Sequence, residues 1–184
     1  MPDSFCATIP HRIVSLYDPA SPDFVKEEFP FYWLARVHGV YQMDMERALK
    51  TVGLDIPTWR TLYILNENGS SSMSEISLHA IAKLSTVTKI VYRMKGEGLV
   101  ETHTSPLDAR VTIVTLTESG REAIARSKLA IQHIFGRAFE GLTPSQIRKL
   151  NEVLHLILDN LSPRHAELAA AGRSSHAAPN ADAA

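Results

Sequence analysis

From residue 29 onward the apolar residues of this sequence recur every three or four positions, the spacing of a helix face, and they leave that spacing only once. Residues 99–104 (LVETHT) and 111–116 (VTIVTL) are instead rich in Val, Ile and Thr, and they flank the polar loop Ser105-Pro106-Leu107-Asp108-Ala109-Arg110. Two short β-branched runs around a Pro-containing loop predict a single β-hairpin, with a loop longer than the commonest tight turns. The order that results is four helices, a hairpin and two helices. It has no internal repeat and no strand–helix alternation, which argues against a doubly wound nucleotide-binding sheet.

The helices announce themselves by their faces and their ends. Leu34, Val37, Tyr41, Met45, Leu49 and Val52 form one stripe, which Gly53 closes. A second helix follows Asp55, with Pro57 in its first turn and Trp59, Leu62 and Leu65 on one side. Ser72-Met73-Ser74-Glu75 is a capping box opening a short helix to about Ala82, with Ile76 and Ile81 expected to face inward. Ser85 is expected to cap the next helix, whose Val87, Ile90, Val91 and Met94 point inward and which ends at Gly96 and Gly98. Thr117 caps a long helix to about Phe139. Thr143 and Gln146 form another capping box, before the stripe Ile147, Leu150, Leu154, Ile157 and Leu161.

Composition narrows the function classes. The 184 residues suit one compact core, and 45% apolar with 21% charged residues excludes wholesale disorder. The 19 basic and 20 acidic side chains leave a net charge of -1, which selects no partner. No apolar run reaches the ~18–20 residues of a membrane span, and the start has no leader pattern. The expectation is a soluble cytoplasmic protein. The organisation predicted is an irregular arm at 1–28, a dimerisation helix at 29–56 and a winged helix-turn-helix at 57–116. C-terminal dimerisation helices at 117–161 and a disordered tail at 162–184 complete it.

Two short helices followed by a two-stranded hairpin make a winged helix-turn-helix, whose second helix is shaped for the DNA major groove. On that helix Lys89, Arg93 and Lys95 suit phosphates or guanine edges, and Thr86 and Thr88 are short polar readers able to touch a thymine methyl. Arg110 in the loop suits a narrow minor groove. At these residues the sequence resembles the MarR family of transcription regulators. The resemblance runs from Glu75-Ile76 through Ser85-Thr86-Val87-Thr88 to Arg93-Met94 and Gly98-Leu99-Val100. It continues in the wing signature Asp108-Ala109-Arg110 and in Val114-Thr115-Leu116-Thr117-Glu118-Ser119-Gly120-Arg121, and covers residues 30–161. Three positions depart from the family pattern: Ala109 for a wing Arg, Thr102 for a strand Arg, and Ile81 where the turn often carries Gly.

The resemblance implies a mainly α fold with a β-hairpin wing, a homodimer, near-palindromic operator DNA as partner, and repression as the usual mode. It implies DNA contacts at Ser85, Thr86, Thr88, Lys89, Arg93, Lys95 and Arg110, with Asp108 supporting the wing. It also implies a cleft for an aromatic or phenolic acid effector, for which Arg36, His38, Trp59, Trp33 and Tyr63 are the candidates. Between Pro57 and Arg121 seven basic residues face six acidic ones, so affinity for DNA should rest on local placement of charge.

The remaining features point elsewhere only weakly. The eight histidines form no HxxxH pair, and one cysteine allows neither a disulfide nor a CxxC motif, so no metal or cofactor is expected. Cys6 opens an oxidant-sensing alternative, but no basic residue lies nearer than Arg12 to activate it. No nucleophile, paired-carboxylate or phosphate-loop motif supports an enzyme. A protein-binding winged-helix adaptor, the other alternative, would not need the threonines and basic residues of the reading helix.

Overall fold

The computed structural model describes residues 15–161, and its frame is helical with one small sheet. A short 3-10 helix at Lys26–Glu28 leads into α1 (Pro30–Lys50), followed by α2 (Ile56–Asn68). Then come β1 (Ser71–Ser72), α3 (Met73–Ala80), α4 (Leu84–Gly96), β2 (Val100–Thr104) and β3 (Thr112–Leu116). Two helices close the described chain, α5 (Glu118–Ala138) and α6 (Pro144–Leu161). The proposed tail at 162–184, residues 1–14 of the proposed arm and Cys6 lie outside the described residues.

The ends of these helices follow from side-chain chemistry. At Gly53 the backbone turns left-handed (φ 74°), which lets the Leu54 N–H reach back to the Leu49 carbonyl at 3.0 Å and stops α1. The Asp55 carboxylate accepts the Thr58 N–H at 2.8 Å and starts α2. Ser72 and Glu75 exchange both bonds of the capping box, at 3.2 and 2.6 Å. Thr117 accepts the Gly120 N–H, and Thr143 and Gln146 pair reciprocally at the start of α6.

Two expectations need correction. Ser85 does not cap α4: the helix begins at Leu84, Lys83 holds the cap position without a side-chain bond, and Ser85 sits inside the first turn. Ile81 does not face inward. It ends α3 in the left-handed region (φ 50°, ψ 47°) and is 72% exposed. The Schellman pair that ends the helix, Ile81 N–H to Leu78 O and Ala82 N–H to Ser77 O, imposes this conformation, and it directs the side chain into solvent.

The sheet also holds a strand that the sequence pattern did not announce. β3 lies between β2 and β1, antiparallel to both, with Val100 opposite Leu116, Thr104 opposite Thr112 and Ser71 opposite Val114. Beneath it lies a core of Leu62, Leu65, Ile76, Val87, Val91 and Met94 with Val100, Val114 and Ile124. Each large aliphatic side chain buried there contributes about 1.5–3 kcal/mol. A second core joins α1 to α5 through Met45, Leu49, Ile131 and Ile134, with Tyr41 and Trp59 at its margin. Asp44 of α1 accepts a charged hydrogen bond from Arg137 of α5 across the same seam. Among helices α1–α6, α6 alone buries none of its residues.

Candidate nucleic-acid interface

α4 packs on α2, α3 and β2, which leaves the opposite side to solvent beside the hairpin. Its inward stripe is Val87, Val91 and Met94, all at 0% exposure, with Ile90 half-buried. The helical repeat therefore turns Ser85, Thr86 and Lys89 outward, and all three are exposed. Thr88 is half-buried at the edge facing the wing.

The basic side chains expected to meet DNA have different surroundings. Arg93 faces α2: its guanidinium lies 2.7 Å from the Asp55 carboxylate and donates to the Thr58 hydroxyl at 2.7 Å, with Glu97 at 3.9 Å. It fastens the reading helix to the first turn of α2, while its side chain stays 47% exposed. Lys95 donates to the Thr102 hydroxyl on β2 at 2.8 Å, a link from helix to hairpin. Lys89 has no hydrogen bond or ion pair among the described residues, which leaves it the free cation of α4.

In the wing, Asp108 takes both sides of the Arg110 fork, Nε at 3.1 Å and Nη2 at 3.1 Å, and also the Arg110 backbone N–H at 2.9 Å. These bonds, led by the guanidinium, hold the Asp108 carboxyl below its ordinary range. The result is a hydrogen-bonded turn with an Arg side chain 90% exposed at its tip. Between wing and reading helix lies a cleft of about 230 Å³, bordered by Leu84, Thr88 and Tyr92 on α4 and by Arg110 and Thr112 opposite. Tyr92, 56% exposed, was not among the residues singled out in the sequence. Its place follows from its spacing, four residues after Thr88.

The aromatic candidates of the first two helices fall into two groups. Trp59 and Tyr63 meet at 5.3 Å between ring centroids on α2. The Trp59 indole N–H is buried and finds no acceptor among the described residues. Tyr41 shares this core margin, and burial pushes its phenol up while the Arg60 guanidinium pulls the other way. Arg60, which sequence reasoning passed over, is thus the cation electrostatically coupled to this corner. On the N-terminal half of α1, Trp33 donates its indole N–H to the Glu27 carbonyl at 2.7 Å. Arg36 lies 5.5 Å over the Tyr32 ring, and His38 is exposed. No hydrogen bond, ion pair or ring contact among the described residues joins Trp33, Arg36 or His38 to the Trp59–Tyr63 pair.

Among the described residues no three His, Cys, Asp or Glu side chains converge on a metal-sized point, and no helix is long and apolar enough to cross a membrane.

Comparison with known proteins gives this geometry a context. The MarR family model matches residues 54–112, the segment from the start of α2 to the start of β3. The chain is 59% identical over 147 residues to the HTH-type transcriptional repressor IacR of Pseudomonas putida, covering 80% of this chain and 88% of the relative. Its fold is shared by a mutant MarR from E. coli complexed with operator DNA (TM-score 0.63, 18% identity, 68% of this chain and 91% of that one). It is shared also by Bordetella bronchiseptica BpsR, a structure described as a mechanism for regulation of DNA binding by 6-hydroxynicotinic acid (TM-score 0.62, 22% identity, 70% and 97%). With a relative this similar over most of both chains, the molecule belongs to the MarR family of winged-helix transcription regulators, as a repressor and not an enzyme.

Proposed function

We propose that the protein binds a near-palindromic operator as a homodimer and leaves it when an aromatic acid binds. The observation that carries this reading is the outward face of α4, with Ser85, Thr86, Thr88 and the unpaired Lys89, set beside a wing whose Arg110 is held forward by Asp108. A helix with such a face fits the major groove, and an exposed Arg at a hairpin tip fits the adjacent minor groove. The operator complex of the E. coli relative supports the assignment. The second copy covers the apolar faces of α1 and α6, so that two α4 helices meet successive major grooves.

The effector takes the corner between α1 and α2. An aromatic ring lies against Trp59 and Tyr63, the buried Trp59 N–H gains an acceptor, and the carboxylate meets Arg60 from the same helix or Arg36 from α1. The regulation of BpsR by 6-hydroxynicotinic acid supports this class of ligand. Because Asp55 begins the helix that carries Trp59 and also holds Arg93, a shift of α2 reaches α4 directly. The ligand must bind the two spacings of the reading helices with different affinity, or DNA would not be released.

Fluorescence anisotropy on the DNA upstream of the protein's own coding region tests the first part. Thr88→Ala and Lys89→Ala weaken that DNA more than random duplex, and Arg110→Ala weakens both, with about 1–3 kcal/mol for a good base contact. Unchanged affinity in all three variants removes α4 and the wing from the interface. A thermal-shift panel of aromatic acids, followed by calorimetric titration of Arg36→Ala and Arg60→Ala, tests the second part. No binding across the panel removes this class of effector, and equal affinity in both variants removes both cations from the site.

A further inference from the structure

Two of the three cations of α4 are engaged within the chain. Arg93 is bound to Asp55 and Thr58, and Lys95 is bound to Thr102, so Lys89 is its one cation without a partner among the described residues. Against this, Leu84, Thr88 and Tyr92 stand four residues apart and form a single row along the edge of the helix facing the wing. Leu84 is 49% and Tyr92 56% exposed, high values on a helix whose Val87, Val91 and Met94 are fully buried. The Thr88 hydroxyl donates to the Leu84 carbonyl at 2.8 Å, so its proton is spent on its own helix and its methyl is what it can add to the row. The Tyr92 phenol makes no hydrogen bond among the described residues.

α4 packs mainly on α2, α3 and β2, and the row borders the wing cleft rather than the exposed apolar faces of α1 and α6. Cations border it: Lys83 precedes it, Lys89 lies beside it and Arg110 faces it across the cleft. An apolar strip framed by positive charge complements a surface that is anionic at its rims and carries methyl groups in its floor. The DNA major groove is such a surface wherever thymine displays its 5-methyl group.

We infer that Leu84, Thr88 and Tyr92 read thymine methyl groups, so that the operator half-site is specified by thymines along this row, with Lys89 as its charged reader. The inference rests on the operator-binding reading above. It assigns base specificity to two residues, Leu84 and Tyr92, that carry no charge and were not among the expected contacts.

The test uses the full-length protein and a duplex enriched from a randomised DNA library by wild type. Each thymine is then replaced singly by deoxyuridine, which removes the methyl and keeps the pairing. Wild type should lose about fourfold in affinity per contacted methyl, the equivalent of one buried methylene. Leu84→Ala and Tyr92→Ala should bind the thymine and uracil duplexes equally at the positions each one covers, while Tyr92→Phe keeps the preference. Both residues are exposed, and a matched thermal melt checks that the variants fold. Enrichment of no sequence overturns the operator reading itself. An enriched duplex that tolerates uracil at every thymine, or contains none, overturns the present inference alone. So does a Tyr92→Phe variant as impaired as Tyr92→Ala, because the phenol would then be serving a phosphate.

Discussion

Ile81 holds a backbone conformation that L-residues avoid, and β-branching makes it worse, at a cost of about 1–2 kcal/mol. Its side chain recovers little of this, being largely exposed. Ile81→Gly should therefore raise stability by about 1 kcal/mol, after the added freedom of glycine in the unfolded chain is subtracted. A denaturant titration should show a higher midpoint at unchanged slope. A second residue-scale expectation concerns Asp55. Partial burial pushes its carboxyl up, but the Thr58 hydrogen bonds and the Arg93 guanidinium outweigh this and leave it below its ordinary value. A depressed folded value stabilises the protein fully above the unfolded carboxylate range, near ~4, and the benefit disappears as pH falls through the folded value. Asn at this position keeps the helix cap and loses the ion pair. Asp55→Asn should cost about 0.5–1 kcal/mol at neutral pH, a modest figure because the pair is half exposed, and the gap to wild type should close on acidification.

Among the elements, the junction of hairpin and α5 has the least room for change. Gly120 lies in the first turn of α5, where an added Cβ would sit 2.2 Å from the Leu99 carbonyl oxygen and 3.2 Å from Leu116. That carbonyl also accepts the Thr117 N–H at 3.2 Å, so it is held from both sides. Gly120→Ala should force α5 away from the sheet and lose about 1–3 kcal/mol, measurable by thermal melting. The element ends show what was legible beforehand. The capping bonds of Asp55, Ser72, Thr117 and Thr143 each reach only three residues along the chain, so sequence alone reveals them. β1 escaped because two serines carry no period and pair only with β3, on the far side of two helices and a strand. The employment of Arg93 escaped for the same reason, since its partners Asp55 and Thr58 lie on another helix. Spacing placed Arg93 on the reading helix correctly, but only packing shows that its guanidinium turns to α2.

At the scale of the whole molecule, the apolar side chains left over by one chain are concentrated at its ends. Val37, Val40 and Met43 on α1 and Leu150, Val153, Leu156 and Leu161 on α6 are all exposed, although α1 buries its C-terminal half normally. Light scattering of wild type should give twice the 20.4 kDa chain mass. Leu154→Glu with Ile157→Glu, placed in the middle of α6, should shift the mass toward one chain and weaken operator binding even though neither residue is near α4. A regulator that pairs through its ends, as we propose, is vulnerable to its own damaged copies. A gene copy encoding Lys89→Glu with sound terminal helices would still be recruited into pairs, and each such pair would grip DNA with one hand. Supplied beside the normal gene it should act dominantly, derepressing a reporter that a simple loss-of-function allele leaves silent, and adding the two α6 glutamates to the same copy should abolish that dominance.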